Sequence, residues 1–108
     1  MGKAQLTGLA ASPGIGIGPV RIVNEKNPVT NVEEGEVLVA KKTDPEFVIA
    51  MKKCAAIVTN AGGLLSHAAI VARAFGVPCV TGTKTATKLF RTGQLVKVDG
   101  TKGTVETL

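Results

Sequence analysis

The feature that most constrains this fold is a helix with clear start and stop signals, set between two short apolar runs. Ala55–Thr59 and Cys79–Thr81 are apolar and predict buried strands, and Ser66–Phe75 predicts a helix that follows a serine cap. Gly76 and Pro78 end that helix, because glycine adopts the left-handed conformation and proline cannot continue the helix. The stretch from residue 55 to residue 81 therefore predicts a βαβ unit.

The remaining segments predict further strands around this unit, and one more helix. Strands are expected at Val20–Val23, Glu36–Ala40, Gln94–Val98 and Thr104–Thr107, a helix over residues 43–53 capped by Thr43 or Asp44, a short helix within Thr83–Arg91, and a glycine-rich loop over residues 8–19. Five or six strands interleaved with helices predict an α/β fold with a mixed sheet. No repeat or linker divides the chain, so residues 1–108 are expected to form a single domain.

Composition agrees with a compact domain and excludes several kinds of site. Apolar residues make up 44% and charged residues only 19%, which argues against disorder. One histidine, two cysteines and no C-x-x-C motif are too few for a zinc site or a disulfide framework, and no metal site is expected. Free cysteines in apolar surroundings favour a reducing, cytoplasmic setting. The longest apolar runs fall far short of the ~20 residues of a membrane span.

The net charge of +5 raises the possibility of an anionic partner. Its densest features are the pairs Lys41-Lys42 and Lys52-Lys53, and the three phenylalanines stand apart from one another. Nucleic-acid binders usually cluster basic residues and interleave aromatic ones, so the pattern argues against nucleic acid. An acidic protein partner or a phosphorylated ligand stays open.

Three glycines near the start superficially resemble a nucleotide-binding fingerprint. Gly14, Gly16 and Gly18 have the spacing G-x-G-x-G rather than G-x-G-x-x-G, and they precede a strand instead of joining a strand to a helix. A backbone bend or a bulge at the entry to the first strand explains them better.

His67 is the strongest candidate for chemistry. It lies in the first turn of the predicted helix, where free amides and the positive helix end stabilise an acquired negative group by about 0.3–1 kcal/mol. Gly62 and Gly63 just before it have no side chains to block a phosphoryl donor. These features suit a histidine that accepts and passes on a phosphoryl group. The alternatives are a packed or capping histidine, a Ser66 that only caps the helix, and an Arg73 that is merely exposed.

The run from Gly62 to Gly82, which includes Ser66-His67 and Arg73, closely resembles the phosphohistidine signature of phosphoenolpyruvate-utilising enzymes. That family includes phosphoenolpyruvate synthase, pyruvate phosphate dikinase and enzyme I of the sugar phosphotransferase system. Two further stretches fit it, the opening residues 11–20 and the closing residues 92–103. The resemblance therefore spans nearly the whole chain.

This resemblance implies a single swivelling β/β/α domain with a mixed sheet and a phosphohistidine helix. His67 would be the phosphorylated residue, Gly62, Gly63 and Ser66 would shape the phosphate-accepting loop, and Arg73 matches the helix arginine of the family. Ala74 stands where many relatives carry a polar residue, which suggests an altered interface rather than altered chemistry.

The resemblance also implies partners. In the family, phosphoenolpyruvate and Mg²⁺ bind a separate barrel domain and ATP binds another, so this domain is expected to bind no cofactor itself. The chain would be one part of a synthase-like or dikinase-like phosphotransferase that does not turn over alone, with its partner domains in cis or in trans. Alternatives are a phosphocarrier of a sugar or antibiotic phosphotransferase, and a non-catalytic interaction module of the same fold.

Overall fold

The computed structural model describes residues 4–108 and is built on a curled, mixed β-sheet. Its strands are β1 (Gln5–Thr7), β2 (Leu9–Ser12), β3 (Ile15–Val23), β4 (Val37–Ala40), β5 (Ala56–Thr59), β6 (Cys79–Thr81), β7 (Leu95–Asp99) and β8 (Thr104–Thr107). Its α-helices are α1 (Val48–Lys53), α2 (His67–Phe75) and α3 (Ala86–Leu89), and short 3-10 turns occupy Val29–Asn31 and Pro45–Phe47. Eight strands across residues 4–108 correct the predicted five or six.

The strand order is β1-β8-β7-β3-β4-β5-β6-β2, with β3 to β6 parallel and both flanks antiparallel. Gly8 alone separates β1 from β2 along the chain, although these strands lie at opposite ends of the order. The sheet therefore curls until its two edges meet, and there the amide of Gly8 donates to the carbonyl oxygen of Gly103 at 2.9 Å. The parallel pairing of β5 with β6 around α2 confirms the predicted βαβ unit.

Alternate residues of the central strands supply two hydrophobic cores. In β4, Val37 and Val39 point into the curled sheet and pack with buried valines of β3, β5, β6, β7 and β8 and with Phe90. Leu38 and Ala40 point outward, where α1 and α2 cover them. All four β4 residues are buried, which explains why this strand is continuously apolar instead of alternating.

The predicted glycine-rich loop over residues 8–19 is wrong, because β2 and the first half of β3 occupy it. A Cβ on Gly16 would overlap the carbonyl oxygen of Ala55, and a Cβ on Gly18 would overlap that of Gly35. Glycine normally weakens a strand, but here it permits a close approach of the backbone. The predicted bend is found at Gly14, where φ is +112°.

The ends of α2 follow their sequence signals. Ser66 caps the helix by accepting a hydrogen bond from the amide of Ala69, and Gly76 ends it in the left-handed conformation. The helix predicted over residues 43–53 begins instead as a 3-10 turn at Pro45, which Asp44 caps through the amide of Glu46, and continues as α1. No helix within residues 4–108 is long and apolar enough to cross a membrane.

Candidate active site

A cleft of about 230 Å³ opens at the edge of the sheet where the parallel strands end. The backbone leaves β4 into Thr43, β5 ends at Thr59, and the N-terminus of α2 faces the same edge. The lining is formed by Lys42, Thr43, Thr59, Ala61, Gly62, Ser66, His67 and Ala68. Ligands of parallel α/β sheets characteristically bind at the carboxyl ends of strands, so this position suits a functional site.

His67 is the first residue of α2, and its ring is fixed by one hydrogen bond. The Nδ1 atom of His67 lies 2.7 Å from Oγ1 of the buried Thr43, with the donor set by the ring tautomer. Either tautomer leaves Nδ1 occupied by this contact and Nε2 outside it. The structure thus distinguishes the two ring nitrogens, which the sequence could not do.

The loop before α2 is shaped by Gly62 and by the carbonyl of Gly63. Gly62 has φ of +98°, and a Cβ there would lie 2.9 Å from both Cβ and Oγ of Ser66, so a larger residue is excluded twice. The Gly63 carbonyl oxygen accepts from Oγ of Ser66 at 2.8 Å and from Oγ1 of Thr81 at 3.5 Å. A Cβ on Gly63 would meet nothing within 4 Å, so this position stays open.

Arg73 lies outside the cleft lining and braces the loop from behind. Its guanidinium donates from Nη1 to the carbonyl oxygen of Ala11 at 2.8 Å and from Nη2 to that of Leu64 at 2.7 Å. These bonds tie the loop to β2. The structure therefore assigns Arg73 a positioning contact, and it brings Gly62, Ser66 and His67 together in the cleft.

Two cleft residues, Thr43 and Lys42, were not identified as site residues from the sequence. Thr43 was a candidate helix cap and Lys42 belonged to a basic pair, and both lie far from His67 along the chain. The one sequence signal that could have found them is their place in the loop that follows β4, since parallel strands end at a shared edge.

The two cysteines are buried and poorly suited to act as nucleophiles. Burial raises the pKa of the Cys54 thiol to about 11 and that of Cys79 to about 12, so neither is a thiolate near neutral pH. Both pack in the core between the sheet and the helices, as small hydrophobic residues do.

The cleft does not fit Mg²⁺. This ion takes oxygen ligands and is usually held by one or two carboxylates, whereas no carboxylate lines the cleft. Within residues 4–108, no group of three or more His, Cys, Asp and Glu side chains could hold a metal ion.

Known proteins resemble this chain closely. Residues 32–103 match the family described as PEP-utilising enzyme, mobile domain. The chain is 55% identical over 100 residues to phosphoenolpyruvate synthase of Pyrococcus furiosus, a match that covers 93% of this chain and 12% of that protein. A second relative is the probable phosphoenolpyruvate synthase of Archaeoglobus fulgidus, and the match covers 14% of the length of that protein. The chain thus spans roughly an eighth of the length of these curated relatives.

Solved structures share the fold. An NMR solution structure of Enzyme I has a TM-score of 0.63 and 34% identity, covering 73% of this chain and 33% of that one. The crystal structure of aconitase X from Thermococcus kodakaraensis has a TM-score of 0.78, and the match covers 97% of this chain and 98% of that one. Because the identity is 20%, this likeness shows the fold alone. With the family match covering more than half of its residues, the chain belongs to the mobile domains of phosphoenolpyruvate-utilising enzymes.

Proposed function

We propose that this chain is a phosphoryl carrier whose His67 is transiently phosphorylated on Nε2. The observation that carries the proposal is the asymmetry of the ring: Nδ1 is held by Thr43, and Nε2 is left available at a cleft beside a helix N-terminus. The names of the relatives agree with this role, since a phosphoenolpyruvate synthase and an Enzyme I share the domain.

The transfer step needs a neutral ring with its proton on Nδ1. In that tautomer, Nδ1 donates to Oγ1 of Thr43 and Nε2 holds a free electron pair. Nε2 attacks the phosphorus, the bond from phosphorus to the leaving oxygen breaks with its electrons going to that oxygen, and a P–Nε2 bond forms. The reverse sequence delivers the group to an acceptor. Splitting the transfer in this way replaces one difficult step by two easier ones.

The first turn of α2 stabilises the acquired charge. Amides of this turn have no intrahelical acceptors, and the helix dipole contributes about 0.3–1 kcal/mol toward a negative group. The Ser66 hydroxyl accepts a hydrogen bond from the amide of Ala69 at 3.4 Å and donates one to the Gly63 carbonyl oxygen. Gly62, Gly63 and Ser66 therefore set the loop shape, and Arg73 holds that shape from behind.

The donor and acceptor sites are proposed to lie in other domains. A phosphoenolpyruvate- or pyruvate-binding barrel and an ATP-binding domain, in cis or in trans, would contribute the remaining chemistry and the Mg²⁺. The small share of the relatives that this chain spans supports such an arrangement. The chain would act as one part of a phosphotransferase, swinging between two sites, and would not turn over alone. Its buried free thiols suit the proposed cytoplasmic location.

A second candidate is the carrier domain of a sugar phosphotransferase, which the 34% identity to Enzyme I favours. It shares the phosphohistidine with the first candidate and differs only in the final acceptor. Phosphoryl transfer onward to pyruvate or to a small carrier protein distinguishes the two.

The direct test is intact-mass measurement after incubation with phosphoenolpyruvate and the remaining domains of the Pyrococcus furiosus synthase. The wild-type chain is expected to gain one acid-labile phosphoryl group, and His67→Asn to gain none. Asparagine is the matched control, because its amide group can reproduce the contact of Nδ1 with Thr43 while lacking Nε2. The synthase's own mobile domain, added in trans, shows that the partner domains are active. If that control is phosphorylated and the wild-type chain is not, the proposal fails and a non-catalytic interaction module is supported.

A further inference from the structure

We infer that Lys42 binds the phosphoryl group carried by His67 and supplies the positive charge that balances it. This inference rests on the proposed function, and it assigns a partner to the phosphoryl oxygens. Arg73, which matches the helix arginine of the family, already donates to two backbone carbonyls.

The composition of the cleft points to Lys42. Of the eight residues that line it, Lys42 is the only lysine or arginine, and no acidic residue lines it. A phosphoryl group on Nε2 brings up to two negative charges into this space. Without Lys42, only helix amides and hydroxyl groups would offset them.

The position of Lys42 in the chain gives it the necessary reach. It directly precedes Thr43, and adjacent Cα atoms are about 3.8 Å apart. Because Thr43 touches the His67 ring at 2.7 Å, Lys42 starts within one residue of the imidazole, and its four-carbon stem can follow the group on Nε2.

The Lys42 ammonium group is not committed elsewhere. The ion pairs found along residues 4–108 are Arg21–Glu36 and Lys97–Glu106. Lys42 is exposed and also lines a neighbouring open cavity of about 910 Å³, whose acidic residues Glu25, Asp44 and Glu46 form no ion pair with it.

Lys41 is a matched control for Lys42. It is exposed, carries the same charge and precedes Lys42 in the chain, but it lines only the neighbouring cavity. Lys41→Gln and Lys42→Gln therefore change the net charge equally, and they differ only in whether the cleft loses its cation.

The experiment uses the 108-residue chain phosphorylated by phosphoramidate, a small donor that needs no partner domain. Nε2 displaces ammonia: the P–Nε2 bond forms as the P–N bond of the donor breaks, and the departing ammonia takes up a proton. Phosphorus-31 NMR then follows the phosphoryl resonance as a function of pH, and its midpoint reports the protonation of the phosphohistidine as a whole, phosphoryl oxygens and Nδ1 together. A merely structural role for Lys42 would not move this midpoint.

A nearby ammonium group favours the less protonated form of the phosphohistidine, so removing it raises the midpoint. Exposed ion pairs of this kind correspond to a shift of roughly half a pH unit. Lys42→Gln is expected to raise the midpoint by about that amount relative to wild type, Lys41→Gln to leave it in place, and Lys42→Arg to restore it.

Equal midpoints for Lys42→Gln and Lys41→Gln, in chains that are both phosphorylated on His67, would overturn the role of Lys42 and leave the carrier function standing. A wild-type chain that takes up no phosphoryl group, from phosphoramidate or from the partner domains, would overturn both proposals. His67→Asn provides the background resonance.

Discussion

Replacing Thr43 with valine removes the hydroxyl that holds Nδ1 of His67 and changes little else. Thr43 is buried, valine has nearly the same shape, and the contact of 2.7 Å is the one hydrogen bond found for the His67 ring. A hydrogen bond of this kind contributes a net of about 0.5–1.5 kcal/mol. If that contribution is lost from the reactive tautomer, the rate of phosphorylation falls roughly 2- to 13-fold.

The assay is the second-order rate constant for phosphorylation of the chain by phosphoramidate, followed by intact mass. Nitrogen-15 shifts of the imidazole report the tautomer in parallel. Thr43→Ser retains the hydroxyl and is expected to stay close to wild type, while Thr43→Val slows. A valine variant that reacts as fast as wild type, with the same thermal unfolding midpoint, would refute the proposal that Thr43 selects Nε2 as the nucleophile.

Two further predictions concern stability. Gly16→Ala forces a methyl group against a backbone carbonyl and is expected to lower the free energy of unfolding by about 1–3 kcal/mol. Gly63→Ala places its methyl group in open space and is expected to leave the thermal unfolding midpoint nearly unchanged. Equal melting curves for the two variants would contradict this prediction. Burial by itself raises the pKa of Glu36, but hydrogen bonds from Arg21 and from a backbone amide, with nearby positive charge, outweigh it and hold the pKa below its ordinary value. The stabilisation by Glu36 is therefore complete above the ordinary glutamate pKa and is lost as pH falls through the lowered folded value. Denaturant titrations at several pH values should show that the free energy of unfolding falls less steeply with decreasing pH for Glu36→Gln than for wild type. The same pH dependence in both proteins would count against the ion pair.

Local elements near the candidate site were predictable from sequence because their signals are local. Ser66 and Gly76 mark the two ends of α2 through capping and through the left-handed conformation, and the structure confirms both. The resemblance of the run around His67 to the phosphohistidine signature pointed to the family that the comparison found.

The opening strands were not predictable in the same way. Glycines in β3 lower its strand propensity, and their purpose becomes visible only when the carbonyls of Ala55 and Gly35 approach them from other segments. Closure of the sheet across Gly8 likewise depends on contacts between the two ends of the chain.

The sequence by itself determined the α/β class, the βαβ unit and the position of α2, and it singled out His67 as the candidate for chemistry. Each of these depends on residues close together in the chain. Only the tertiary structure decided which residues surround that histidine. Thr43 reaches Nδ1 from the end of β4, Lys42 lines the same cleft, and Arg73 turns away to brace the loop. The physical reason is that parallel strands bring their carboxyl ends to one edge, and this juxtaposition depends on pairing between distant segments.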